Sequence, residues 1–447
     1  MFFHSCFPER HSFRISCAGI AVLTVVAAEI SFAAESPLTL AEAQRRALAQ
    51  SSLLAAQDSA VAAAREMAVA AGELPDPVLR FGVDNLPVDG PDRFSIGADF
   101  MTMRRIGLMQ EWTRAAKREA RMTRFEREAD KARSDHAAAA ATIQRDVALA
   151  WIDRYYAEAI VAVIATQAAE AKLEIDAAEA AYRGGRGSQA DVFLARSAVA
   201  GLEDRASEAR RRVATAIASL GRWVGAAADA PLAGTPPHGT LDLEAKTLVM
   251  QLERHPAMLA LAQQPQVAAA DARVAQANRD PDWTFEIAYQ QRGSAFSNMM
   301  SVGVSVPLPW NRARRQDREL AAKLALVDEA RALRDDALRM YTAQVRVLLA
   351  EWETGRERLN LHANALVPLS RQRTSATAAA YRGAKGSLTE VLAARRSELD
   401  VHRDALGIEQ DTARAWAQLN FLGIGPVAAP ATGSTTAPPL LRAKETP

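Results

Sequence analysis

Apolar residues recur near helical spacing from residue 38 to 72, with Leu40, Ala43, Ala47 and Leu54 on one side of the predicted helix. Leu74-Pro75-Asp76-Pro77 stops it. The period then changes from helical to alternating. Leu79, Phe81 and Val83 alternate with Arg80, Gly82 and Asp84, which predicts a strand over 78–85, and a second extended stretch runs over about 101–112. Residues 113–182 contain neither Pro nor Gly and read as one very long helix. Arg183 to Gly187 is a glycine-rich turn. A second helix follows over 188–222, with Ser188 as its N-cap and Asp191 at about its third position.

The same order of elements then recurs. Ala181-Tyr182-Arg183-Gly184-Gly185-Arg186-Gly187-Ser188-Gln189-Ala190-Asp191-Val192 aligns with Ala380-Tyr381-Arg382-Gly383-Ala384-Lys385-Gly386-Ser387-Leu388-Thr389-Glu390-Val391. Asp76-Pro77 returns as Asp280-Pro281, and Ile106-Gly107-Leu108 as Val302-Gly303-Val304. Three matches in one order mark a duplication of about 200 residues. The second copy is predicted as helix 248–279, strands 283–292 and 299–308, long helix 311–382, turn 383–387 and helix 388–422. Pro256, Pro265 and Pro368 are expected to bend or interrupt it.

Lengths constrain the packing. At ~1.5 Å per residue, a helix of about 70 residues extends roughly 105 Å, and the two shorter helices of each copy sum to the same length. Stacked end to end beside the long helix, they form a column suited to a tube. The strands carry a second signal. Trp283, Phe285, Ile287 and Tyr289 share one face, and Met300, Val302, Val304, Val306 and Leu308 share another. Strands of about 10 residues with one apolar face are what a transmembrane β-barrel requires, although a soluble amphipathic sheet gives the same alternation. Four strands cannot close a barrel, whose smallest members have about 8. Several chains must then share one barrel, two giving 8 strands and three giving 12.

The N-terminus adds an export signal. Arg10, His11 and Arg14 precede an apolar stretch from Ile15 to Ala28, and Ser31-Phe32-Ala33 supplies small residues for cleavage after Ala33. Both cysteines, Cys6 and Cys17, lie in the part to be removed. Arg14 before Cys17 argues against lipid attachment there. The expected division is signal peptide 1–33, first repeat 34–225, connection 226–247, second repeat 248–425 and disordered tail 426–447. A formal charge of +1 gives no reason to expect nucleic acid.

This layout resembles the TolC family of outer-membrane efflux ducts over about residues 38–425. The resemblance rests on the duplicated helix–strand–strand–helix–helix order and the two tip motifs. Asp84-Asn85-Leu86-Pro87 and Asp99 to Gly107 look like the branch paired with heavy-metal exporters, similar to CusC and CzcC. The family implies a mainly α fold with a β-barrel portion. Four strands per chain would join a homotrimeric, twelve-stranded transmembrane barrel in outer-membrane lipid, above a periplasmic α-helical tunnel. It also implies a periplasmic adaptor and an inner-membrane proton-driven pump as partners. Many close relatives carry a lipid-attachment cysteine, which this chain is expected to lack.

Two sets of residues are candidates for function. The tip turns, with Arg183, Gly184, Gly187, Arg382, Gly383 and Gly386, are the expected adaptor contact, along with the basic Arg186 and Lys385. The plain alternative is a solvated turn with incidental charge. Asp191 and Glu390 sit at the same place past each turn, and in a trimer they would place six carboxylates around a narrow entrance that attracts cations. Relatives have acidic residues near this position. The alternative role is helix capping. No catalytic constellation or cofactor site is read. His136, His238, His255, His362 and His402 are scattered, and Arg183 to Gly187 lacks the context of a phosphate loop. Met101, Met103, Met299 and Met300 are read as packing residues ahead of Cu(I) ligands. An efflux duct, a periplasmic adaptor and a coiled-coil envelope protein are the three classes left, and the paired strands favour the duct.

Overall fold

A computed structural model describes residues 37–237 and 251–421. The expected signal peptide, the end of the connection and the tail lie outside them. The first repeat contains α1 (Leu40–Ala49), α2 (Ser52–Gly72), β1 (Val78–Asp84), β2 (Met103–Trp112), α3 (Ala115–Arg183) and α4 (Gln189–Val224). The second contains α5 (Pro256–Ala277), β3 (Trp283–Gln291), β4 (Met299–Ser305), α6 (Gln316–Leu361), α7 (Val367–Arg382) and α8 (Leu388–Asn420).

Most elements fall where the pattern put them, and each departure has a local cause. The helix expected over 38–72 is two helices. Thr39 caps α1 by accepting from the Glu42 N–H, and Ser51 restarts the chain by accepting from the Leu54 N–H at 3.3 Å. The second repeat's first helix begins at Pro256, because a proline at the first position is a start and not a bend, and His255 caps it. Pro265 stays inside α5 and is buried. The long helix expected from 311 starts at Gln316, after a 3-10 turn at Arg312–Arg314. It then widens into a π turn at His362–Leu366, just before Pro368. Proline has no N–H to donate, so the ladder is broken there without ending the helix. β4 stops at Ser305, two residues before Pro307, which cannot continue a ladder.

At ~1.5 Å per residue, the 69 residues of α3 run about 104 Å. Both α2 and α4 pack along α3, as does α5. The ends of the short helices meet beside the middle of α3. There Ile143, Val147, Trp151, Ile152 and Tyr156 are buried with Ala43, Ala47 and Leu54 from one side and Leu220 and Val224 from the other. The Trp151 indole donates to the Leu38 carbonyl at 3.0 Å, and Gln50 donates to the Trp223 carbonyl. The start of the connection folds back onto this junction, where Leu38 N donates to Pro231 O at 2.8 Å. The end-to-end stacking of short helices on the long one is thus present. Alanine makes it possible, since small side chains at Ala129, Ala132, Ala171 and Ala178 are buried along α3.

The second repeat does not stand apart. α8 packs on α3 as well as on α6 and α7. Arg414 of α8 pairs with Asp153 of α3, and Gln410 donates to the same carboxylate at 2.9 Å. His255 is buried, and that burial, with Arg145 nearby, pushes its pKa down to about 4. The neutral ring can then accept from the Ala257 N–H through Nδ1, at 3.1 Å.

Candidate functional site

The four strands form one antiparallel sheet in the order β1-β2-β3-β4. The central pair, β2 with β3, joins the two repeats. Leu79, Leu108, Ile287 and Val302 form one row across it, and Phe81, Ile106, Tyr289 and Met300 the next. The opposite face carries Arg80, Gly107, Ala288 and Ser301, then Gly82, Arg105, Gln290 and Met299. Arg105 pairs there with Glu286 and lies 3.7 Å from Asp84. The chain therefore buries nothing on its apolar sheet face, where Phe81 and Val302 are each 73% exposed. One edge of β1 and one of β4 have no partner strand among the described residues. Apolar surface of this extent, on a sheet with two open edges, marks an interaction surface. No described helix is long and apolar enough to cross a membrane. Met299 and Met300 fall on opposite faces, so the four methionines named above cannot converge on one ion.

The two tips match hydrogen bond for hydrogen bond. In the first, Gly184 N donates to Ala180 O at 3.0 Å, Gly185 N to Tyr182 O at 3.0 Å and Arg186 N to Ala181 O at 2.9 Å. In the second, Gly383 N donates to Ala379 O, Ala384 N to Tyr381 O and Lys385 N to Ala380 O, at 3.0, 3.0 and 2.8 Å. Positive φ falls at Gly185 (69°) and at Ala384 (53°), not at Gly184 or Gly383. Ala384 therefore bears backbone strain of roughly 1–2 kcal/mol. Gly187 and Gly386 are constrained differently, by a close approach. A Cβ on either would come within 3.1 or 3.2 Å of Ala181 Cβ or Ala380 Cβ on the preceding helix. Arg183, Arg186, Arg382 and Lys385 are all exposed.

Both candidate acids serve as helix caps in the single chain. Asp191 Oδ2 accepts from the Ser188 N–H at 2.9 Å and from its hydroxyl at 2.8 Å. Glu390 Oε2 accepts from the Ser387 N–H at 3.2 Å. The hydrogen bonds from Ser188, the backbone one first, hold the Asp191 carboxyl below its usual range. The tips also touch each other. Leu388 at the start of α8 packs with Ala178 and Val192, and Tyr381 lies against them. Burial, then Asp191 and Glu174, raise the Tyr381 phenol.

Sequence reasoning missed one ion-pair link between the repeats in this region. Arg395 of α8 pairs with Glu170 and, at 2.9 Å, with Glu174 of α3. Arg395 is 15% and Glu174 8% exposed. The two acids are one helical turn apart, a spacing that could have flagged a shared cation, but nothing local points to residue 395.

The family described as outer membrane efflux protein matches residues 247–423, most of the second repeat. No curated protein sequence matches the chain. By structure, the chain is similar to the outer-membrane channel OprN, with a TM-score of 0.72, 17% identity and coverage of 86% of this chain and 90% of that one. This is the TolC-like channel fold. VceC of Vibrio cholerae shares it, with a TM-score of 0.70, 20% identity and coverage of 86% and 96%. So does CusC, with 0.72, 14% identity and coverage of 86% and 92%. CusC is one of several such neighbours, so the TolC-like resemblance holds for the fold, while the metal-exporter branch is not singled out. The neighbours are channels and not enzymes.

Proposed function

We propose that this chain is the outer-membrane duct of a tripartite export system, acting as a homotrimer with a periplasmic adaptor and an inner-membrane proton-driven pump. The observation that carries the reading is the apolar sheet face left exposed between two open edges. Three copies would pair those edges into twelve strands and turn the apolar face to lipid. Heavy-metal cations are the proposed cargo, supported by the Asp84 to Pro87 and Asp99 to Gly107 segments and by CusC among the similar folds. Native mass spectrometry in detergent should give three chains per particle, and planar bilayers should show cation-selective conductance. A monodisperse monomer would overturn the reading.

The capping role of Asp191 and Glu390 does not compete with an entrance role, because a capped carboxylate is still charged. Asp191→Asn with Glu390→Gln should lower cation selectivity and weaken block by multivalent cations, with the trimer intact. Unchanged selectivity would leave only the caps. The tips are the proposed adaptor contact. Cysteines at Arg183 and Arg382 should cross-link to the adaptor in cells, and trimers that export normally without any cross-link at either position would remove the tips from that contact.

A further inference from the structure

At the end of the sheet that runs into the helices, Trp112 of β2 lies opposite Trp283 of β3. Phe285 stacks on Trp283, with ring centroids 6.3 Å apart. These three rings, with Gln110, Ala115 and Arg114, line an open concavity of about 740 Å³. The rings belong to the same apolar face as Leu108, Ile287 and Val302, so the concavity continues the surface assigned to lipid above. Its one cation is Arg114.

Arg114 is exposed and tied to the start of β3. Its main-chain N–H donates to Asp282 Oδ1 and its Nε to the Pro281 carbonyl, each at 3.1 Å. The terminal guanidinium nitrogens have no partner among the described residues. The neighbouring charges cancel, since Lys117 Nζ lies 2.7 Å from Asp282 Oδ2. Arg114 is also the N-cap residue of α3 and gives it no side-chain cap, just as Arg315 gives none to α6. A cation at a helix N-terminus is electrostatically unfavourable. The helix end already has the Asp282 carboxylate, so a further anion here would answer the guanidinium.

We infer that this corner binds an anionic glycerophospholipid, with its phosphate on Arg114 and its acyl chain on Trp112, Trp283 and Phe285. Aromatic rings at a membrane interface with an adjacent arginine match the two halves of such a lipid. The sequence repeats the corner: Trp112-Thr113-Arg114-Ala115 returns as Trp310-Asn311-Arg312-Ala313. In the second copy Trp310 is 91% exposed, and Arg312 lies 3.7 Å from Asp317, which Arg279 holds at 2.9 Å.

The inference rests on the membrane placement of the sheet, and the test separates the two. The full chain is reconstituted in vesicles of phosphatidylethanolamine with phosphatidylglycerol, extracted in mild detergent, and its retained lipid counted by native mass spectrometry. Phosphatidylglycerol should be enriched over its share in the vesicles. Arg114→Gln should lower that retention about fivefold, as expected for one interfacial cation, and Arg114→Lys should restore part of it. Trp283→Ala should lower retention of both lipids. Equal phosphatidylglycerol retention by wild type and Arg114→Gln, in chains that insert normally, would overturn the site alone. Binding of inorganic phosphate that Arg114→Gln abolishes, without lipid retention, would overturn the lipid assignment. A wild-type chain that does not enter vesicles would remove the membrane placement and this site with it.

Discussion

Val302→Arg should lower the stability of the membrane-inserted assembly by about 2–4 kcal/mol, the cost of a cation on the lipid face near the middle of a barrel. Val302 lies mid-strand, level with Leu79, Leu108 and Ile287, and makes no core contact to lose. On a sheet facing water the same change at so exposed a position would stay within about 0.5 kcal/mol. Ser301→Arg is the internal control. It sits one residue away on the polar face with Arg80 and Gly107, where a lumen accepts charge. The measurement is the fraction of heat-stable oligomer recovered from vesicles across a urea series. Val302→Arg should shift that curve strongly and Ser301→Arg hardly at all. Equal, small shifts from both would place water on the apolar face and defeat the barrel.

Arg395→Ala should open the seam between the repeats by about 3–5 kcal/mol, the range for stripping one partner from a buried ion pair. The cost comes chiefly from Glu174, which would be left buried and charged without its guanidinium. Arg395 also holds Glu170, so one substitution orphans two acids on successive turns of α3. Hydrogen exchange reads this locally. Amides around Glu170 to Ala178 and Leu388 to Leu399 should exchange on the order of a hundredfold faster or more, while those around Trp151 keep their protection. Arg395→Met combined with Glu170→Gln and Glu174→Gln should recover most of the loss, because no charge is then stranded. Unchanged exchange in Arg395→Ala would show that the helix packing around Leu399 and Ile164, and not the ion pair, holds the seam.

Features set by neighbours in the chain were legible in the sequence. The spacing of Leu40, Ala43 and Ala47, the alternation through β3, and the Pro- and Gly-free run of α3 each follow from a periodicity of side-chain direction that a short window contains. The capping boxes at Ser188 with Asp191 and Ser387 with Glu390 were readable for the same reason, since donor and acceptor lie three residues apart. The glycines at 187 and 386 stood out by their repetition, but their reason, a close approach to the preceding helix, needed coordinates.

Tertiary structure decided the contacts between distant segments. Nothing near Gln50 announces a second helix except the serine that restarts it, and the bond from Gln50 to Trp223 that fixes the junction crosses 173 residues. The pairing of Trp112 with Trp283, the stripe of Leu79, Leu108, Ile287 and Val302, and the grip of Arg395 on two acids of α3 each join the two repeats. Their energies come from burial and from charges brought together across long loops. Such terms depend on which surfaces meet, and no local window of sequence holds both sides of the contact.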